Sequence, residues 1–256
     1  MASGYIKTLK RLSVRRSASR ARPAALAIWN LSARVFVGAL VPIVYFKNRL
    51  QFSALARRDK VINIAVQDIA GFRHDKYRRN WTVQGDVVSG HWDLCIDHQE
   101  ILEKDKFVGL KQHFIDNIPW QKTDLFTGRY ARTLREIGAV RGFRCLEELA
   151  ADYLKYDRLY RDILERGVVS PHEDQSVDPI FVYIGRRGEI IYSSDGNHRL
   201  AIVLLLGIEN LPVRVWWRHR EWQNVRDRIG RVDPSDRRKM FTDLVDHPDL
   251  AEFFEG

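Results

Sequence analysis

The sequence predicts an α/β (α+β) fold, with a helical N-terminal half and a mixed sheet with a helix at the C-terminal side. Apolar residues in segment 145–167 recur at alternating steps of three and four, which is the spacing of an amphipathic helix. From residue 178 onwards, short apolar runs are instead separated by glycine turns, a pattern that is typical of strands. The length of 256 residues is enough for one large core or two small ones.

The net charge of +9 is concentrated at the N-terminus. Residues 1–60 hold 13 Lys and Arg and a single acid, Asp59, whereas residues 61–256 hold 29 basic and 32 acidic residues. A protein that follows nucleic-acid phosphates carries a basic footprint on the folded domain itself. Because residues 61–256 have a net charge of −3, DNA is not expected to be the main partner. The two cysteines are too few for a disulfide framework and indicate free thiols in the cytoplasm.

Two segments precede the body of the protein. Residues 1–23 are a basic tail, and residues 24–58 are an apolar or amphipathic arm. Part of the arm, 24–46, is long enough to span a bilayer, but Arg34 interrupts it, and a charge inside a span is costly. Three interpretations stay open: a peripheral anchor on an anionic membrane surface through residues 1–46, a helical arm packed on the protein, and a true span or cleaved targeting segment.

Residues 59–256 are expected to form a single α/β body that opens with extended and helical segments. Segment 61–72 is predicted to be a short strand followed by a turn. Segment 87–94 is predicted to be a strand end or loop. Apolar spacing then predicts three successive helices, over 105–115, 122–138 and 145–167. The last two of these helices end at a glycine, which readily adopts the left-handed conformation of a helix C-terminus.

The C-terminal side alternates strands with one apolar helix. Strands are predicted over 178–184, 189–193 and 211–217, and the turn "GRRG" joins the first two. The helix over 197–206 is apolar almost all round, so it is expected to be buried between the sheet and the rest of the protein. A capping helix is expected within 235–254.

The polar sequence "DGNHR" stands directly before the apolar helix and consists of Asp195, Gly196, Asn197, His198 and Arg199. A helix N-terminus has unpaired N–H groups and a partial positive charge, and a glycine there lets an anion approach the backbone. An imidazole and a guanidinium in the first turn complete a set of donors that suits phosphate. On spacing alone a structural role stays open, in which Asp195 caps the helix and Arg199 pairs with a carboxylate.

The segment 178–217 resembles the ParB/sulfiredoxin superfamily, in the order strand, turn, strand, "DGNHRLA", helix and "LGIENLPVRV". The resemblance covers about 40 of the 256 residues. It implies a domain like the N-terminal domain of ParB, with its core at about 168–219 of this chain. Members bind nucleoside triphosphates through this turn, and some relatives are labelled nucleases. By position, the resemblance implies that four residues contact the nucleotide phosphates: Gly196, Asn197, His198 and Arg199.

Departures from the superfamily patterns separate the reactions that the resemblance implies. Sulfiredoxins have a catalytic cysteine directly before His-Arg, but here Asn197 stands at that position, which argues against sulfinic-acid repair. Centromere-binding members read G-E-R-R and continue into a helix-turn-helix DNA reader, whereas about 39 residues follow the last predicted strand here. The histidine form of the turn is similar to that of a free-serine kinase. The flanks resemble a group of microbial proteins that reads G-D-W-D where this chain has "GHWD", 90–93.

The resemblance therefore implies Mg-dependent hydrolysis of a nucleoside triphosphate or phosphotransfer to a small acceptor, with His198 and Asp195 as catalytic residues. Asp93 and Glu165 are further candidates for a carboxylate that holds Mg²⁺ or acts as a base. Two alternatives stay open. One is a non-catalytic, nucleotide-responsive or DNA-associated binding module, and the other is a membrane-surface adaptor.

Overall fold

A computed structural model describes residues 42–73, 83–94, 96, 104–170, 179–193 and 196–255 of the chain. The chain divides into two compact units, Met1–Ser53 and Ala54–Gly256. In the first unit the described residues form one helix, α1, over 42–51. None of the helices in these ranges combines the length and the apolar character that crossing a membrane requires. The basic tail and most of the arm lie outside the described residues, so the interpretations of both segments stay predictions.

A six-stranded mixed sheet runs through the second unit. Its strands are β1 (Val61–Ala65), β2 (Ile69–Phe72), β3 (Asp86–Val88), β4 (Ile180–Ile184), β5 (Ile190–Tyr192) and β6 (Asn210–His219). The order is β1–β6–β4–β5–β2, and β3 also pairs with β6. Strand β6 is parallel to β3 and β4 and antiparallel to β1, and β5 is antiparallel to β4 and parallel to β2. The predicted α/β class is therefore confirmed.

Strand β6 is the longest strand because it holds two partners in succession along one edge. Residues 210–214 pair with β1, and residues 217–219 pair with β3, while β4 covers the other edge. The sequence pattern predicted only 211–217 for this strand. The strands β1 to β3 precede the helical layer, as the pattern over 61–72 and 87–94 predicted, and they extend the sheet beyond the predicted core at 168–219.

The helical layer of the body precedes β4 in the chain. It consists of α2 (Asp105–Phe114), a π-helix (Leu125–Tyr130) that continues into α3 (Ala131–Ile137), and α4 (Leu146–Arg166). The three predicted helices are confirmed, including the glycines that end α3 and α4 with positive φ. Helix α2 lies very close to the π-helix, because a Cβ on Gly109 would stand only 2.6 Å from the Cβ of Leu125.

The apolar helix α5 (Asn197–Leu205) is enclosed between the sheet and the helical layer. Leu200 and Val203 belong to the core on the side of the sheet. Ala201 and Ile202 belong to the core that the helical layer builds. Burial on both sides explains why this helix is apolar almost all round, and it confirms the prediction made from its sequence.

The C-terminal segment consists of several short pieces. After α6 (Arg220–Arg231) and α7 (Pro234–Met240), two 3-10 segments follow, Thr242–Leu244 and Pro248–Phe253. The expectation of a capping helix within 235–254 is therefore correct only for its first turns. Phe241 leaves the helical region, with φ −129° and ψ 44°, and Pro248 lacks the N–H that a continuing helix would need.

The buried carboxylate of Asp249 ties this C-terminal segment to the sheet. Arg218 Nε donates to Oδ2 at 2.9 Å, Trp222 Nε1 donates to Oδ2 at 2.9 Å, and Arg226 Nη1 donates to Oδ2 at 3.2 Å. Lys60 Nζ donates to the backbone carbonyl of Asp249 at 2.8 Å. Burial opposes ionisation, but the positive charges of Arg218 and Arg226 outweigh it and hold the pKa of Asp249 well below its ordinary value.

Candidate functional site

Asp93, one of the predicted metal candidates, binds a guanidinium. Arg186, in the turn between β4 and β5, donates to Oδ2 from Nε at 2.8 Å and from its backbone N–H at 2.9 Å. Its Nη2 donates to Oδ1 at 2.8 Å. Burial would raise the pKa of Asp93, but the bonds from Arg186 outweigh it and lower this pKa to about 2. The "GHWD" loop is therefore fastened to the β4–β5 turn.

Aromatic packing holds the same loop from the other side. The ring of Trp92 makes edge contacts with Tyr183 and Trp217, each at 5.9 Å between centroids. His219 accepts from the backbone N–H of Glu221 through Nδ1 at 3.1 Å, so its Nε2 carries the proton and donates to the carbonyl of Gly90 at 2.8 Å. Trp92, Asp93 and His219 thus hold the loop in place through packing and hydrogen bonds.

The two metal candidates do not come together with further ligands in the described part of the chain. Within those residues, no group of three or more His, Cys, Asp or Glu side chains could hold a metal ion. Glu165 is exposed near the C-terminal end of α4. Any role of Asp93 or Glu165 with Mg²⁺ therefore stays a prediction.

The described part of the "DGNHR" sequence, 196–199, lies where α5 begins. Gly196 has φ +83°, a conformation that strains any residue with a side chain, and its carbonyl accepts from the N–H of Leu200 at 3.0 Å. Asn197 Oδ1 accepts from the Tyr192 hydroxyl at 3.1 Å, which ties the turn to β5. Arg199 is half-buried in the first turn of the helix. Asp195 lies outside the described residues, so its catalytic and capping roles stay predictions.

Two tyrosines from α4 hold the imidazole of His198. The ring of Tyr156 stacks on it, with 3.9 Å between centroids and 14° between planes. Tyr153 approaches edge-on at 5.8 Å, and its hydroxyl lies 3.4 Å from His198 Nε2. Because Tyr153 and Tyr156 are three residues apart on one helix, both rings face α5 together.

A strained turn between α3 and α4 brings a guanidinium to these tyrosines. Val140 and Phe143 exchange two backbone hydrogen bonds of 2.9 Å, and the residues between them, Arg141 and Gly142, have φ of 55° and 95°. Positive φ at both central positions is the mark of a type I′ turn. Arg141 Nη1 donates to the hydroxyl of Tyr153 at 3.3 Å. Its Nη2 donates to the hydroxyl of Tyr156 at 3.1 Å.

The electrostatic surroundings keep His198 neutral. Burial lowers its pKa well below the ordinary value of 6.5, and the positive charges of Lys106, Arg141 and Lys155 lower it further. Lys155 pairs with Asp152 at 2.7 Å, but Arg141 makes no ion pair with any described carboxylate. The left-handed conformation of Arg141 costs free energy, and residues of this kind cluster at functional sites. The charges that act on His198 are therefore positive, which favours an anion nearby.

The structure thus brings His198 together with residues that sequence reasoning missed. Tyr153 and Tyr156 lie on the apolar side of the helix predicted over 145–167 and pack in the core of the helical layer, but their spacing does not indicate that they contact His198. The dipeptide "RG" between Val140 and Phe143 is a turn signal, but nothing in it indicates where the guanidinium points. Lys106 lies in α2, far from the turn in sequence, so only packing of the helical layer brings its charge near His198.

Comparison with known proteins adds no relative to this description. No family model, no curated protein and no solved structure matches the chain.

Proposed function

We propose that the turn at 196–199 binds the phosphate groups of a nucleoside triphosphate, and that the site hydrolyses this nucleotide or transfers a phosphoryl group to a small acceptor. The observation that carries the proposal is the position of His198 at the N-terminus of α5, where Tyr153 and Tyr156 contact its ring and accept hydrogen bonds from Arg141. The positive charges of Lys106, Arg141 and Lys155 act on the same imidazole. Lys106, Arg141 and Lys155 come from three separate parts of the helical layer. A triphosphate needs several positive charges, and separate elements can contact separate phosphate groups.

The position of the turn supports the same proposal. The first N–H groups of a helix and its dipole favour negative charge, and α5 begins directly after a glycine in a left-handed conformation. The helix behind this turn is buried on both sides, so the donors are held on a rigid element. The resemblance of 178–217 to ParB/sulfiredoxin domains points to the same residues, Gly196 to Arg199.

The proposed Mg²⁺ would supply charge neutralisation at the phosphates. It is usually held by substrate phosphates, waters and one or two carboxylates. Asp93 does not fit that role as it stands, because both of its oxygens accept bonds from Arg186. In this proposal the ion arrives with the nucleotide.

A non-catalytic binding module is the second candidate, and the clamp around His198 favours it. An imidazole that is neutral, stacked and already hydrogen-bonded suits a grip on phosphate as well as it suits catalysis. The proposal for the N-terminus is separate: residues 1–46 would hold a cytoplasmic protein at an anionic membrane surface, because they combine positive charge with an apolar stretch.

The variant His198→Gln separates chemistry from binding. If the site transfers phosphate, turnover falls by about 100-fold or more while affinity changes far less, because only interactions that strengthen in the transition state speed the step. The measurement is release of phosphate or nucleoside diphosphate, with and without small hydroxyl acceptors, beside a calorimetric titration with the nucleotide and Mg²⁺. If the wild-type protein binds nucleotide but releases neither phosphate nor nucleoside diphosphate, the enzyme proposal fails and the non-catalytic binding module remains. A wild-type protein that binds no nucleotide would refute both candidates.

A further inference from the structure

The hydroxyl group of Tyr153 has three polar neighbours. Arg141 Nη1 lies 3.3 Å away, His198 Nε2 lies 3.4 Å away, and the hydroxyl of Tyr130 lies within hydrogen-bond distance. Tyr153 is 0% exposed and Tyr130 is 5% exposed, so water does not compete freely for either hydroxyl. A phenol has one proton to donate and two lone pairs that accept. Three neighbours therefore use the whole capacity of the Tyr153 hydroxyl.

The chemistry of the three neighbours decides which one receives the proton. A guanidinium only donates, so Arg141 occupies one lone pair of Tyr153. Among the described residues, the Tyr130 hydroxyl has Tyr153 as its single hydrogen-bond partner. A buried hydroxyl proton without an acceptor is costly, so Tyr130 donates to the second lone pair. The proton of Tyr153 is then left for Nε2 of His198.

The protonation states of both side chains agree with this arrangement. Burial, and then the neighbouring Tyr130, raise the pKa of Tyr153, so its hydroxyl keeps its proton. Tyr153 and Tyr156 from α4 contact the ring of His198. The charges that act on it belong to Lys155 from α4, Lys106 from α2 and Arg141 from the turn. Burial and the three cations keep its pKa low, so the ring has a single proton near neutral pH.

We infer that the hydroxyl chain Tyr130–Tyr153 fixes His198 as the Nδ1–H tautomer, so that His198 offers the anion a neutral hydrogen-bond donor. Tyr153 is then a positioning residue, since it acts through the imidazole. The stacked ring of Tyr156 fixes the plane in which that donor lies. Because Nε2 already accepts a bond, His198 does not take a proton from an attacking hydroxyl at that atom. The inference relies on the proposed function only for the nature of the ligand.

The tautomer can be read directly in the full chain without any ligand. Long-range proton–nitrogen NMR spectra of protein with ¹⁵N-labelled histidine distinguish the two neutral tautomers, and His198→Gln identifies the signals of this residue among the eight histidines. The expected result is one Nδ1–H pattern that does not titrate between about pH 6 and pH 8. An Nε2–H pattern, or a ring that becomes charged within that range, would overturn the inference.

Two tyrosine variants form a matched pair. Tyr153→Phe removes the donor to Nε2 and is expected to produce a mixture of both tautomers. Tyr156→Phe also removes a hydroxyl that contacts Arg141, but this hydroxyl has no bond to the imidazole, so the Nδ1–H pattern should persist. If Tyr153→Phe leaves the pattern unchanged, the hydroxyl chain does not set the tautomer and the inference fails.

Titration with inorganic triphosphate then separates this inference from the proposed function. Loss of an oriented neutral donor should weaken binding of triphosphate to Tyr153→Phe by about 3-fold to 10-fold, and to Tyr156→Phe by less. If the wild-type NMR pattern is as expected but neither triphosphate nor any nucleotide binds, the proposed function fails while the assignment of the tautomer stands. If triphosphate binds and the wild-type tautomer is Nε2–H, the inference fails while the phosphate site stands.

Discussion

The variant Asp249→Asn tests whether a buried carboxylate holds the C-terminal segment on the sheet. Asparagine keeps the size of the side chain but removes the charge that Arg218 and Arg226 face, and both guanidiniums are almost completely buried. Removing one partner of a buried ion pair costs about 3–5 kcal/mol, because the remaining charge stays buried without compensation. Asparagine can still accept the bond from Trp222 Nε1, so we expect the lower end, about 3 kcal/mol.

Equilibrium unfolding in urea measures this loss. With a slope of about 2–3 kcal/mol/M, a loss of about 3 kcal/mol lowers the midpoint by about 1–1.5 M. The matched control is Asp105→Asn, whose exposed carboxylate pairs with exposed Arg129 at 3.4 Å, and its midpoint should barely change. An unchanged midpoint for Asp249→Asn would refute the reasoning, since the C-terminal segment would then not depend on the charge.

Three other predictions concern the pH dependence of stability, the phosphate site and the tail. In the folded protein the pKa values of Asp93 and Asp249 lie below the ordinary 3.8. Both carboxylates therefore stabilise the fold above that pH, and this stability is lost as the pH falls. Urea midpoints should then drop less steeply with acid in Asp249→Asn than in wild type. Calorimetry should show nucleotide affinity about 10-fold to 100-fold lower for Arg199→Ala and for Arg141→Ala, but unchanged for the exposed control Arg135→Ala; equal losses in all three would refute the site. Deleting residues 1–46 should abolish salt-sensitive binding to anionic vesicles in a sedimentation assay, and full retention would remove the anchor interpretation.

Elements whose cause is local could be predicted from the sequence. Helices α2 and α4 follow from apolar residues at helical spacing, and Gly138 and Gly167 end helices because glycine adopts positive φ at little cost. The burial of α5 on both sides also follows from its composition, since a helix without a polar face is stable only when it is enclosed. These features depend on residues that are close in the chain.

Features that depend on distant residues could not be read in this way. The length of β6 reflects the succession of β1 and β3 along one edge, and no pattern inside the strand indicates two partners. The prediction of a single capping helix was correct only for its first turns. The contacts of Asp249 with the sheet set the path of the C-terminal segment and outweigh the local helical tendency of 235–254. Strand pairing and buried ion pairs are tertiary interactions, so they override weak local preferences.

The candidate site divides along the same line. The sequence by itself determined that a glycine, an amide, an imidazole and a guanidinium stand at the start of a buried helix, because these residues are consecutive. Only the tertiary structure decided what surrounds them: it brings Lys106, Arg141 and the tyrosines of α4 to His198 from positions about 40 to 90 residues away. The physical reason is that the pKa of a side chain and its hydrogen-bond partners depend on burial and on charges in space, and neighbours in sequence do not specify either.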